Sequence, residues 1–395
     1  MRIATLVACR FICLLALVAP AHAASGDAAF DAFVASAWPP AQAAGVSRET
    51  FARETSGLSP DPAIKAQPAK QGEFSLPMHA YIGQVVNARK VSIGRARASS
   101  LADALGSIER RYGVPSEICL AIWGIESGYG PTQGGHDILR SVATLAVRKH
   151  RADFYRDEFV AALVLLQNGM PRANLTGSWA GAMGQPQFTP SSYLKFAVSY
   201  SGGGPADIWN SSVDALASIA NFLKGSGWNP AVPAVMEVVV PQDFDWKPVD
   251  LDLSAWRRLG FARADGEALP ASGAASLFLP EGAAGPAFLI TENWEVIRQY
   301  NTSDAYALAV ALLAERIGGA SGLKRGWPKG YVSMSLTDRS RAQKLLMAKG
   351  LYSGATDGKI GRGTRNAVHE FQISAGMLPA DGLLTPQVLK RLQGK

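Results

Sequence analysis

Apolar positions recur at three- and four-residue spacing through most of the first 224 residues, as in SLADALGSIERRY and RDEFVAALVLLQNG. That period predicts amphipathic helices. GVP, GYGPTQGG and GGGP punctuate the pattern and read as loops. Between about residues 232 and 300 the period changes. VMEVVV, SLFLP and AFLIT are short β-prone runs divided by Gly, Pro and Asp, which predicts a small sheet inserted into a helical body. Helix returns at SDAYALAVALLAERIG, with Ser303 in the N-cap position. The expected fold class is therefore mainly α, with a β-rich insert.

A Gly- and Lys-rich stretch over residues 320–335 reads as a linker. Beyond it, residues 336–393 repeat a small pattern. ATDGKIGRGTRNAVHEFQ and PADGLLTPQVLKRL each set an Asp-Gly turn before a Thr and then an amphipathic helix. Gly358 and Gly382 are expected at positive φ, and Thr364 and Thr385 as N-caps.

With 395 residues, the chain has room for two or three domains with real cores. Its 48% hydrophobic and 18% charged residues exclude a wholly disordered chain. The first 23 residues pair Arg2 and Arg10 with a short apolar run, Phe11 to Val18, and an Ala21-His22-Ala23 cleavage pattern. They read as a cleavable export signal, placing the mature protein in the periplasm with no transmembrane segment. Losing that leader removes two arginines and lowers the net charge from +7 to +5. It also removes Cys9 and Cys13, leaving Cys119 inside ICLAIWGI as a small core residue with no disulfide partner. No basic-aromatic stripe indicates a nucleic-acid partner.

VPSEICLAIWGIESGYG carries the most chemistry. Pro115 and Ser116 can start a helix, and Gly128 and Gly130 end it. Glu126 then shares a face with Ile122, Trp123 and Cys119. A carboxylate on an apolar face resists ionisation, which is what a general acid working near neutral pH requires. The alternative at this point is a Glu that merely caps a loop. Downstream, GSWAGAMGQPQFTPSSY combines small residues with Trp179, Phe188 and Tyr193, and with neutral hydrogen-bonding groups on Ser178, Gln185 and Gln187. Aromatic faces beside neutral donors and acceptors suit a carbohydrate, though a tightly packed turn would use the same residues.

IWGIESGYG, then GSWAGAMGQPQFTPSSY and QYNTSDAYALAV, in that order, resemble the lytic murein transglycosylase B family from about residue 27 to 319. DGKIGRGTRNAVHEFQ is similar to the peptidoglycan-binding type 1 domain, a three-helix wall-binding module. The resemblance implies a lysozyme-like helical catalytic domain. It also implies cleavage of the MurNAc-GlcNAc β-1,4 bond of peptidoglycan with formation of 1,6-anhydroMurNAc. It places the acid/base on Glu126 and substrate contacts on Ser178, Gln187, Tyr300, Asn301 and Tyr306. The family's basic pair falls on His150 and Arg151, of which Arg151 is carried over. Peptidoglycan glycan strands are the implied partner, with other cell-wall synthesis or hydrolysis proteins beside them. No cofactor is implied. Some members carry a calcium loop where this chain has SYSGGGPADIWN. With Asp207 as its only carboxylate, that segment is expected to bind no metal. A hydrolytic muramidase and a catalytically inactive wall-binding protein are the rival functions.

Overall fold

A computed structural model describes residues 25–64, 72–148, 151–244, 246, 249–330 and 333–394. The expected leader and His150 lie outside the described residues. Two helices organise the body. One, Ser116–Ser127, buries Cys119, Leu120, Ala121 and Ile122 completely and packs lengthwise on the other, Asp304–Ile317. Ser303 caps the latter as expected, its hydroxyl accepting from Ala305 N and Tyr306 N. Cys119 is a buried free thiol. Burial raises its pKa far above the usual thiol value, so it is an inert core residue.

The three β-prone runs form Val235–Val239, Ala274–Phe278 and Ala287–Thr291. They lie within a five-stranded antiparallel sheet. The sheet order is Asp250–Asp252, Ala274–Phe278, Ala287–Thr291, Val235–Val239, Ala262–Arg263. Strand alternation divides the central strand between two cores. Phe288 and Ile290 join the helical core, whereas Ala287 and Leu289 face a second cluster around Trp256, Phe244 and Phe261. The insert is thus welded to the body through one face and filled by its own core on the other.

Three helices, Leu336–Ala348, Arg362–Ser374 and Pro386–Leu392, enclose a separate C-terminal core that includes Leu346, Val368, Phe371 and Val388. The internal echo is real, but a different residue carries it. Gly358 and Gly382 have φ of 77° and 68°. Each donates its N–H to a buried glutamine of the preceding helix, Gln343 at 2.7 Å and Gln372 at 2.8 Å. A Cβ would sit 2.6 Å from Leu336 O at Gly358 and 2.8 Å from Arg365 O at Gly382, so sterics as well as φ demand glycine there. Thr385 is the N-cap expected of it. Thr364 is not: its helix starts earlier, with Gly361 in the N-cap position. The buried Thr364 hydroxyl instead accepts from Gln343 Nε2 at 3.2 Å.

The 320–335 stretch is not a free tether. Backbone N–H groups of Lys324 and Arg325 donate to the Glu237 carboxylate, and Trp327 packs on the helical core. The C-terminal unit docks on the sheet subdomain. Arg362 reaches Asp250 and Ser276, both at 2.6 Å, and Asp381 accepts from Ala283 N at 3.0 Å. Arg365 donates to Pro280 O at 3.1 Å, with its guanidinium over the Phe278 ring. Hydrogen bonds from a charged group and a cation–π contact are each worth about 1–2 kcal/mol. Arg365→Ala should therefore loosen docking, with protease cutting within 320–335 accelerating about tenfold. An unchanged cutting rate would show that Arg365 does not hold the two units together.

Candidate active site

Glu126 is the penultimate residue of the Ser116–Ser127 helix, which ends at Gly128 in the left-handed region, φ 62°. Tyr129 continues the turn at φ 66°, folding its ring edge-on against Trp123. At Gly124 a Cβ would stand 2.5 Å from that ring, so a glycine lets Tyr129 tuck under the Ser116–Ser127 helix. Tyr129 Oη then donates to Lys90 O at 2.8 Å, fixing the neighbouring helix, Ala88–Ser100.

The Glu126 carboxyl is half-buried and its Oε1 accepts from Tyr306 Oη at 2.5 Å. Tyr306 is itself 2% exposed and sits in the first turn of the Asp304–Ile317 helix. Burial pushes the Glu126 pKa up to about 7, and the Glu73 carboxylate pushes the same way. The Tyr306 hydrogen bond and the Lys90 charge oppose them. A carboxylic acid in this setting is protonated through much of the neutral range and can be ionised at modest cost.

Tyr300 and Asn301 come to the same place. Tyr300 Oη donates to Pro186 O at 2.5 Å, and its ring packs between Phe188 and Phe222. Asn301 Oδ1 accepts from Ser303 N at 3.1 Å while its Nδ2 reaches Glu73 Oε1 at 3.5 Å. Ser303 Oγ donates to Glu73 O at 3.0 Å, closing a small network beneath Tyr306.

Ser178 and Gln187 lie on the facing loop. A Cβ at Gly134 would fall 2.2 Å from Gly177 O and 2.7 Å from Ser178 N, so the segment after Glu126 lies directly on the Ser178 backbone. Ser178 Oγ accepts from Ala182 N at 3.1 Å. Gln187 adopts φ 53°, an uncommon conformation for a non-glycine residue. Its Nε2 donates to Gly184 O and Gln133 O. Other residues of this segment are structural. Gln185 accepts from Trp123 Nε1 at 2.9 Å and donates to Trp209 O at 3.0 Å, while Phe188 and Tyr193 are buried. Of the three aromatics, only Trp179 remains half-exposed. Arg151, at φ 55°, begins the Ala152–Gln167 helix and stacks its exposed guanidinium over Phe154 at 4.1 Å. No contact joins it to Glu126.

Sequence reasoning missed Glu73, Tyr81 and Lys90. They come from residues 73–90, well before Glu126 in the chain, and converge on it only in the folded chain. Tyr81, 7% exposed, sits at ordinary helical core spacing and carries no local signal. A cavity of about 600 Å³ adjoins this network. Glu73, Ser303 and Arg298 line it from the body, and Tyr352, Lys359 and Arg365 from the C-terminal unit.

The 197–211 loop does not fit a hard cation. Asp207 Oδ1 accepts from the backbone of Trp209 and Asn210. The buried Asp214 carboxylate accepts from Tyr200 N and Asp207 N at 3.0 and 2.9 Å. Asp214 is spent on backbone N–H groups and Asp207 on backbone N–H groups and the Asn210 side-chain amide, and among the described residues no cluster of three metal-ligating side chains occurs. Millimolar calcium or a chelator should therefore shift the melting temperature by less than about 1 °C. A larger calcium-dependent rise would mean that this loop opens to bind the ion.

Residues 29–315 match the family described as "Transglycosylase SLT domain", and residues 335–392 match "Putative peptidoglycan binding domain". Membrane-bound lytic murein transglycosylase B of Escherichia coli (strain K12) is 41% identical over 128 residues, 32% of this chain; the match spans 35% of that relative. SltB3 from Pseudomonas aeruginosa, solved in complex with NAG-anhNAM-pentapeptide, superposes with TM-score 0.84 at 40% identity. That likeness covers 93% of this chain and all of the other. Escherichia coli Slt35, solved in complex with calcium, superposes with TM-score 0.61 at 27% identity, covering 74% of this chain and 93% of that one. With the family matching most of its length around the Glu126 site, the chain belongs to the transglycosylase SLT family.

Proposed function

We propose that the protein is a lytic transglycosylase that cleaves the MurNAc-GlcNAc β-1,4 bond of peptidoglycan and leaves a 1,6-anhydroMurNAc end. The observation that carries this reading is the Glu126 carboxyl, held near pKa 7 and bonded by Tyr306. Protonated Glu126 gives its proton to the glycosidic oxygen as the bond to C1 breaks. The resulting carboxylate, stabilised by Tyr306 Oη, takes the proton of the muramic C6 hydroxyl as that oxygen bonds to C1. One proton enters and one leaves Glu126, and no water is consumed. Asn301 Nδ2 or Ser178 Oγ would meet the 2-acetamido group. Gln187 Oε1 meets sugar hydroxyls, and Arg151 meets carboxylates of the peptide stem.

The 27–319 unit carries the chemistry and the 336–393 unit holds the wall polymer. The export signal directs both to the periplasm, and among the described residues no helix is long and apolar enough to cross a membrane. Incubation with purified sacculi should release soluble fragments. Binding without release would leave a wall-binding protein.

Glu73 favours a second reading. Two carboxylates flanking one glycosidic bond are the usual equipment of a hydrolase, and Glu73 lies close enough to raise the Glu126 pKa. In that reading Glu73 would activate a water and the product would be a reducing end.

A further inference from the structure

At the opposite ends of the two organising helices lies a second cavity, of about 770 Å³. It is of the size that encloses small ligands or single side chains with their flanks. Its apolar wall is built from Ile118, Pro230, Pro233 and Trp228. Trp228 is 8% exposed, and its Nε1–H is buried with no acceptor. Charge on the remaining wall is mostly negative. Arg263 pairs with Asp265 and Glu267, and Glu237 receives backbone N–H groups. Lys324 Nζ donates to Ser321 Oγ. Glu117 and Glu315 are left over: among the described residues neither carboxylate makes a hydrogen bond or an ion pair, though the Arg263 charge acts on Glu315 from a distance. Both carboxylates line the cavity, and Glu117 lies against the end of the Asp304–Ile317 helix, where a Cβ on Gly318 would stand 3.5 Å from Glu117 Cγ. The Asp304–Ile317 helix ends here, adding the negative pole of its dipole.

Two unpaired carboxylates, a helix C-terminus and an apolar wall together call for a cation on an apolar stem. The apolar wall beside the carboxylates favours an organic, extended cation, whose stem it can cover. We propose that this cavity is a docking site for a lysine or arginine side chain on a segment of a protein partner, its stem along Ile118 and Trp228 and its head between Glu117 and Glu315. The site lies outside the substrate groove, at the far end of the helix whose other end carries Glu126. Occupation is linked to pH. Glu315 has its pKa pushed up to about 7 by burial, with Asp265 and Glu237 adding to the effect and Arg263 opposing it. Docking should therefore weaken as the pH falls through neutrality.

The test uses the full chain and two blocked peptides, Ac-Ala-Pro-Lys-Pro-Ala-NH2 and the same peptide acetylated on the lysine Nζ. Binding is followed by calorimetry and by Trp228 emission. The free-lysine peptide should bind at least tenfold more tightly at pH 8 than its acetylated counterpart, and several-fold more weakly at pH 6 than at pH 8. Glu315→Gln and Glu117→Gln should each weaken binding by about tenfold. Glu117→Gln should keep the wild-type melting curve, Glu315→Gln should melt no lower than the wild type at either pH, and both should keep wild-type release of fragments from sacculi. Equal binding of the two peptides, no binding of either, or an undiminished affinity in both variants would overturn the proposal.

Discussion

Replacing Glu126 with Gln should reduce release of soluble wall fragments about a thousandfold, the scale of losing a positioned general acid. Gln keeps the size and the hydrogen-bonding reach of the side chain, but it has no proton to give the leaving oxygen. The same substitution should change stability in a pH-dependent way. Native Glu126 has a pKa raised from the ordinary 4.5 to about 7, so the folded chain holds this proton more tightly than the unfolded one. Burial therefore costs nothing below about pH 4.5. The cost grows as pH rises and is complete above about 7, where it is on the order of 3 kcal/mol. Glu126→Gln should thus melt close to the wild type at pH 4.5 and several degrees higher at pH 8. Equal melting temperatures at pH 8, with full activity, would show that Glu126 is neither buried as an acid nor used as one.

The second large effect is expected at Tyr306. Its hydroxyl is the protein donor to Glu126 Oε1, and the ring is otherwise enclosed. Tyr306→Phe removes a bond to a charged acceptor, worth about 1.5–3 kcal/mol, while leaving the packing in place. Because that bond favours the carboxylate, its loss should raise the Glu126 pKa further. The alkaline limb of the pH–rate profile should then move up from about 7. The rate should also fall roughly 10- to 100-fold, because the half-reaction in which Glu126 accepts the C6 proton needs an ionised carboxylate. A loss of rate with an unmoved alkaline limb would indicate that Tyr306 supports the fold without tuning the acid.

How much of this site could be read from the chain depends on where each contact lies in sequence. Glu126 was legible because its helix, apolar face and terminating glycines are contiguous. Tyr300, Asn301 and Tyr306 were legible only through family resemblance, since nothing local distinguishes a buried Tyr that bonds a carboxylate from one that fills a core. Glu73 and Lys90 gave no signal: a charge acts across space, and their segment meets Glu126 only after folding. Gln185 illustrates the converse, a neutral hydrogen-bonding residue beside the site whose groups are consumed by Trp123 and Trp209.

The same division holds for the fold. Short β-prone runs divided by Gly, Pro and Asp identified the central strands, and capping chemistry identified Ser303 and Thr385. The 320–335 stretch has a linker composition, yet Glu237 and the sheet subdomain hold its backbone through contacts that composition does not encode. Docking brings Arg365 and Tyr352 to the cavity shared with Glu73.

Transglycosylation and hydrolysis begin with the same protonation by Glu126 and part at the nucleophile. The tethered C6 hydroxyl holds the advantage of an intramolecular attack, and Glu73 offers the means for an attacking water. Mass spectrometry of fragments released from purified sacculi, before and after borohydride treatment, separates the two. Muramoyl ends one water lighter than the hydrolysis product and resistant to borohydride are the predicted result. Ends of full mass that borohydride reduces would contradict the account and assign the chemistry to water activated beside Glu73.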